Sequence, residues 1–402
     1  MRGDTFRLCF RRRQSYAAPV MRVLLLTSST GGGHNMRARS FQEWAVAEPA
    51  LDVSAQWHRP LENSNGIYAF GVWLYNWIQR TAPFLHHIYF NFLELVPVAR
   101  GGVPLGAKKY RRVLEECRPD VIISVHDTLN HVFFDYARHV LGRDKVKCVT
   151  YCGELSGGYG FSRHWVNPDA DLFIGAVPET CAAAVRWGMA PEKTRVGGFL
   201  LRKFFYEPIP TPTEREAFYR NVLQLDPGEF TLLLSASSRG AHNHIHFLEE
   251  FYRRELDMQV VLLCGRSQVT EREVAGWATA HPQARVRMLP CNANVGQIMR
   301  NVSAVVARPG TGTTSEAILS GCPLLLNGLG GVMPQEHITV KFCLQRGVAR
   351  LIRNPRQLAD IVAQWKENPE LPEQFRQAMR IACPPTHPRD ILRTITALVQ
   401  SR

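Results

Sequence analysis

The sequence predicts an α/β protein made of two doubly wound, Rossmann-like halves facing a cleft. Two observations carry this. Short apolar runs bounded by glycine or charge recur along the chain, with amphipathic segments between them. That alternation is the mark of buried parallel strands separated by helices. The pattern stops at a Pro- and charge-rich stretch, EPIPTPTERE, and then starts again. A chain of 402 residues is long enough for two such domains.

The elements follow in order. VLLLTS, Val23 to Ser28, reads as a buried strand, and GGGH turns it into a helix over Asn35 to Glu48 with Phe41, Trp44, Ala45 and Glu48 at helical spacing. DVIISV, Asp120 to Val125, is a second strand, Lys147 to Tyr151 a third and Asp171 to Ile174 a short fourth. Residues 21–205 are expected to form the acceptor-side domain. Residues 206–227 read as linker and opening helix. Strands then recur at Thr231 to Ser235, Val260 to Cys264, Val286 to Leu289, Ala304 to Ala307 and Pro323 to Asn327. Residues 228–375 form the second domain in this reading, and 376–402 a closing helix that packs back on the first. Two such domains leave a cleft at the carboxyl ends of their strands, where ligands bind.

Composition narrows the class. Hydrophobic residues at 45% and charged residues at 21% suit a globular protein. The longest aromatic-rich stretch, Ile67 to Val98, is interrupted by Arg80, His86, His87 and Glu94, which argues against a spanning helix. The net charge is +13, of which residues 1–20 supply +4 through five Arg against one Asp. That segment reads as a basic disordered arm, and it has no apolar core of a secretory signal. A basic surface suits anionic lipid headgroups or acidic substrates. No nucleic-acid motif accompanies the charge, so no nucleic acid is expected. Ten Cys are scattered with no CxxC pair, pointing to a reducing compartment.

The segment AVVARPGTGTTSEAILSGCPLLLN, Ala304 to Asn327, carries the first chemistry. A strand ends near Ala307. Arg308, Pro309, Gly310, Thr311 and Gly312 make a tight loop, and a helix begins near Thr313 or Thr314. Thr313 with Glu316 has capping-box spacing. A helix start offers unpaired N–H groups and partial positive charge, and glycine lets an anion come close, so the segment predicts a phosphate or diphosphate site. Glu316, placed in the first turn, has a carboxylate able to accept from a ribose diol. Gly31 to His34 forms the second glycine motif. Gly32 and Gly33 free the backbone, and His34 stands at a helix start, a position that favours a neutral imidazole base. His126, in VHDTLNH at the end of a buried strand, is the rival base, with Asp127 able to orient either ring.

The first segment resembles the PGxGTxxEA signature of glycosyltransferase family 28, which includes monogalactosyldiacylglycerol and diglucosyldiacylglycerol synthases. SSTGGGH, RPDVIISVHDTLNH, HWVNPDADLFI, VRWGMAPEKTRVGGFLLRKFF and MPQEH are similar to further family elements, so the likeness runs from Met21 over nearly the whole chain. It implies the two-Rossmann GT-B fold and an inverting transfer of a hexose from a UDP-sugar. It favours His34 as base and places Gln335 and Glu336 near the donor hexose. Val295, in CNANVGQIM, falls in the loop that would meet the nucleobase. Arg308 or Arg239 would steady the leaving diphosphate. The triplet Asp169-Ala170-Asp171 lies far in sequence from the donor loop, so neither metal nor other cofactor is expected. Thr311 stands where many relatives have a second Pro, and TYCGELSGG, Thr150 to Gly158, occupies the region where lipid synthases often carry a Thr-Asp pair.

Gly66 to Val98 holds Tyr68, Phe70, Trp73, Tyr75, Trp77, Phe84, Tyr89, Phe90 and Phe92, and Trp73 and Trp77 share a helical face. With the basic charge, this suits a membrane interface. The resemblance then implies a diacylglycerol-type acceptor, and a cytoplasmic protein peripherally bound to membrane. Three alternatives stay open: a UDP-N-acetylglucosamine transferase with another lipid-linked acceptor, a sugar-nucleotide epimerase of the same fold, and a non-catalytic sensor. The epimerase would need cleft carboxylates, of which the sequence promises few.

Overall fold

The computed structural model describes residues 20–81, 85–95, 101–235, 243–265, 267–290 and 293–400; the side chains of residues 79–81 are not described. The basic arm lies outside the described residues.

The first half runs β1 (Met21–Leu26), α1 (Gly33–Ala47), β2 (Val53–His58), α2 (Pro60–Asn63), α3 (Gly66–Thr81), α4 (Leu85–Leu95), α5 (Ala107–Cys117), β3 (Val121–Ser124), α6 (Val132–Leu141), β4 (Lys147–Cys152), β5 (Leu172–Gly175), α7 (Pro178–Arg186) and β6 (Thr194–Val196). A 3-10 turn, Lys203–Tyr206, leads to α8 (Pro212–Phe218), whose capping box joins Thr211 and Glu214. The second half runs β7 (Thr231–Ser235), α9 (His244–Arg253), β8 (Gln259–Leu263), α10 (Gln268–Ala280), β9 (Val286–Leu289), α11 (Val295–Met299), β10 (Ala304–Ala307), α12 (Thr311–Ser320), β11 (Leu324–Asn327), α13 (Pro334–Gln345) and β12 (Ala349–Ile352). Three helices close the chain: α14 (Pro355–Glu367), α15 (Glu370–Ala382) and α16 (Pro388–Gln400).

Each half is one six-stranded parallel sheet, ordered β2-β1-β3-β4-β5-β6 and β12-β11-β10-β7-β8-β9. Inner strands such as LLLN of β11 are buried on both faces, which is why they read as unbroken apolar runs. The strands that sequence reading passes over are edges. β2 is half-buried throughout, β6 has three residues, and β12 turns Arg350 outward. An edge strand buries less and loses the apolar run.

The final helix belongs spatially to the first half. Ile391, Leu392 and Ile395 of α16 are buried with Val23, Leu25, Phe41 and Trp44. The Asp-Ala-Asp triplet is structural: Asp171 accepts from Arg138 (2.7 Å) and from the Cys148 amide (2.8 Å). The eight cysteines among the described residues are free. No helix among the described residues is long and apolar enough to cross a membrane.

Candidate functional site

Strand order decides which loops meet. In the first sheet, β1 and β3 are neighbours whose following helices leave in opposite directions, and a crevice opens at such a switch point. The loops after β1 and β3 carry His34 and His126, and the two rings stand 4.4 Å apart between centroids. In the second sheet the switch lies between β7 and β10. The loop after β7 includes Arg239, which lies outside the described residues. The loop after β10 is Arg308–Gly310, and it opens α12.

His34 Nδ1 lies 2.7 Å from the Val125 carbonyl. A carbonyl only accepts, so Nδ1 carries the proton and Nε2 keeps its lone pair. Burial, then the neighbouring His126 and Arg37, hold this imidazole down at about 3. His126 is engaged at both nitrogens: Nε2 meets Thr30 Oγ1 at 2.7 Å and Nδ1 meets Asp127 Oδ1 at 3.0 Å. Asp127 therefore orients His126 and not His34. Burial works to raise the Asp127 carboxyl, but His126 and then His34 bring it below the usual range.

On the donor side, α12 begins two residues earlier than the sequence suggests. Gly310 is the N-cap with no side-chain cap, and Thr311 is already helical. The capping box expected between Thr313 and Glu316 is not formed, and Glu316 falls in the second turn. Pro309 and Gly310 bring the chain round without a side chain over the helix end, leaving the first-turn amides of Thr311, Gly312 and Thr313 for an anion. This helix start touches α1. A side chain on Gly312 would begin 3.4 Å from Met36 Cε and 3.9 Å from Gly33 Cα. Gly33 follows Gly32, the N-cap of α1. The two glycine motifs, nearly 280 residues apart, thus face each other across the cleft.

Arg308 and Glu336 have found each other. Arg308 Nε donates to Glu336 Oε1 at 3.2 Å and Nη2 donates to Oε2, while Met333 N donates to the same carboxylate at 2.9 Å. Arg308 is thus committed to a carboxylate partner, where sequence reading offered it to the diphosphate. Glu336 likewise has its oxygens occupied, where a sugar hydroxyl was expected. Burial raises its carboxyl, with Arg308 opposing. Gln335 donates to the Tyr75 hydroxyl at 3.1 Å, tying α13 to α3 across the cleft. Val295 opens α11 beside Gly296, whose missing side chain makes room for Phe205 of the interdomain turn.

Three residues escape sequence reading. Arg37 of α1 is 4% exposed and donates through Nη2 to Gly153 O (3.1 Å) and to Thr311 Oγ1 (2.7 Å) in the other half. Thr311, a departure from the family pattern, thereby has a use that proline lacks. Glu154 follows β4, and its Oε2 is buried without a hydrogen-bond partner. Tyr75, which sequence reading counted only among the membrane-side aromatics, is the third, held through Gln335. The expectation of a carboxylate-poor cleft is corrected. Burial pushes both Glu154 and Glu316 up to about 7, with Arg37 opposing in each case.

Those two carboxyls predict a pH dependence. Unfolded, each ionises near the ordinary 4.5; folded, near 7. Between these values the folded chain holds protons the unfolded chain has released, so stability falls as pH rises through the window and levels off above it. Glu154→Gln and Glu316→Gln are expected to flatten the decline in Tm between pH 5 and 7.5. An unchanged slope in both variants would refute the assignment.

No family model matches the chain. Curated relatives do. It is 26% identical to a probable monogalactosyldiacylglycerol synthase of Nicotiana tabacum over 91% of this chain and 69% of that protein. It is 24% identical to monogalactosyldiacylglycerol synthase 3 of Arabidopsis thaliana over 92% and 80%. Among solved structures, MurG of Acinetobacter baumannii superposes with a TM-score of 0.59 at 14% identity, covering 96% of this chain and all of that one. The HepE protein of Anabaena in complex with UDP-glucose gives 0.57 at 16%, covering 95% and all of that chain. The two facing sheets, the paired glycine motifs and these relatives agree: the chain has the GT-B fold of glycosyltransferases and is similar along nine-tenths of its length to monogalactosyldiacylglycerol synthases.

Proposed function

We propose that the protein moves a hexose from a UDP-sugar to a membrane lipid, of diacylglycerol type, with inversion at the anomeric carbon. The observation that carries this is the contact between the start of α1, bearing His34, and the start of α12. A nucleoside diphosphate on the α12 amides would set its sugar beside the His34 lone pair. His34 Nε2 takes the proton of the acceptor hydroxyl as that oxygen attacks the anomeric carbon. The bond to the diphosphate breaks on the opposite face, and the leaving charge falls on the helix start. Incoming phosphate charge raises the His34 imidazole from its ligand-free value, toward the range where a base works best. The bonded pair Arg308–Glu336, and Gln335 held on Tyr75, would line the far side of this site. Val295 stands by for the base of the nucleotide.

The acceptor reading is supported by the surface of α3 and α4. Phe70, Trp73 and Trp77 stand exposed in a row, with ring centroids 5.5 and 6.3 Å apart, and Ile88, Phe92 and Leu95 are exposed on the next helix. Such a patch on a chain of net charge +13 fits the interfacial layer of an anionic membrane, and peripheral attachment.

The test is a panel of labelled UDP-hexoses with vesicles of anionic lipid and diacylglycerol. Organic-soluble label is expected with at least one donor. Absence of such label with every donor overturns the transferase-to-lipid reading, and an epimerised nucleotide sugar in the aqueous phase would replace it, as the raised carboxyls of Glu154 and Glu316 would then suggest. The double variant Trp73→Ser/Trp77→Ser is expected to weaken vesicle flotation about tenfold or more. Unchanged flotation removes the patch from the reading.

A further inference from the structure

We propose that Arg37 is the cation that holds the donor's diphosphate, delivered to the α12 helix start from the opposite half of the molecule. The inference rests on the donor reading above and names the charged residue which that reading lacks, since Arg308 is paired with Glu336.

The guanidinium is buried and forms no ion pair among the described residues. A buried charge without a counter-charge is costly, and a bound anion would supply one. Its two hydrogen bonds go to neutral acceptors, the Gly153 carbonyl and the Thr311 hydroxyl, while Nε and Nη1 make none among the described residues. Thr311 is the first residue of α12, so Nη2 is already bonded at the helix start whose amides would meet phosphate. The seat is shaped for the group. A Cβ on Gly153 would fall on the guanidinium, and one on Gly33 would begin 3.4 Å from Nη1. The nearby carboxyls of Glu154 and Glu316 form no ion pair with it, and burial pushes both up to about 7. Arginine's planar fork suits two oxygens of one phosphoryl group or one from each of two. Because Arg37 sits on α1, three residues from His34, the same helix presents base and leaving-group cation together.

The test compares UDP with uridine by calorimetry on the purified protein, for wild type, Arg37→Met and Arg37→Lys. The ratio of the two affinities is internal to each variant, so general loss of stability cancels. Arg37→Met is expected to lower the preference for UDP over uridine about thirtyfold or more, with uridine binding unchanged. Arg37→Lys, which keeps the charge but not the fork, is expected to retain a good part of it. If Arg37→Met keeps the wild-type ratio, the proposal is overturned and the donor reading stands. If wild type itself shows no preference for UDP, both fall together. A drop in UDP and uridine binding alike would make Arg37 a clasp between the halves and would also overturn it.

Discussion

His34→Ala is expected to cut turnover by about 10²–10⁴-fold while UDP affinity stays within a few-fold. The asymmetry follows from what each ring nitrogen does. The Val125 carbonyl fixes the proton on Nδ1, so the lone pair on Nε2 is always available, and it is the removal of that lone pair that the rate reports. His126 has neither nitrogen to spare, because Thr30 and Asp127 occupy both. The free-enzyme pH profile checks the assignment. An imidazole held at about 3 gives kcat/KM no acidic limb of its own near neutrality. A limb with its midpoint near 7 that vanishes in Glu154→Gln or Glu316→Gln would belong to those carboxyls. Unchanged turnover in His34→Ala removes this residue from the chemistry.

Glu336→Ala is expected to destabilise the fold by about 3–5 kcal/mol, because it strands a buried arginine. The Arg308 and Glu336 side chains are 13% and 5% exposed, so water can replace the lost partner only in part. The same carboxylate also caps the amide of Met333 at the start of α13. The double variant Arg308→Ala/Glu336→Ala is expected to recover part of the loss, since it removes the stranded charge as well. Denaturant midpoints at constant m-value measure this directly. A cost below about 1 kcal/mol in the single variant would mean that the pair is open to solvent.

Much of this was legible in the sequence, and the reasons it stopped where it did are physical. The inner strands could be read because burial on both faces leaves only apolar residues. Edges β2, β6 and β12 could not, since half-burial permits Gln56, Arg195 and Arg350. The two glycine motifs suggested an anion site because glycine leaves a helix start open to a ligand. Their contact with each other could not be read, as it depends on how two domains are set. Arg37 looked like any cation on a polar helix face. Its partner Thr311 is 274 residues away, and only the assembled cleft makes it a buried charge. The Arg308–Glu336 pair was hidden for the same reason: each residue looked free until α13 was folded over the loop after β10.

The return of α16 to the first half bears on how the chain is made. A ribosome releases the residues of the first sheet early, and such units usually fold in order of synthesis. Here the face of that sheet between α1 and β1 is closed by Ile391, Leu392 and Ile395. Until the second half has been translated, Trp44 and Phe41 lack the cover that α16 gives them. Interval 21–205 does not contain all the residues that complete its own core. Expressed by itself it would lack a wall, and a peptide spanning 388–400 supplied in trans is the piece that would restore it.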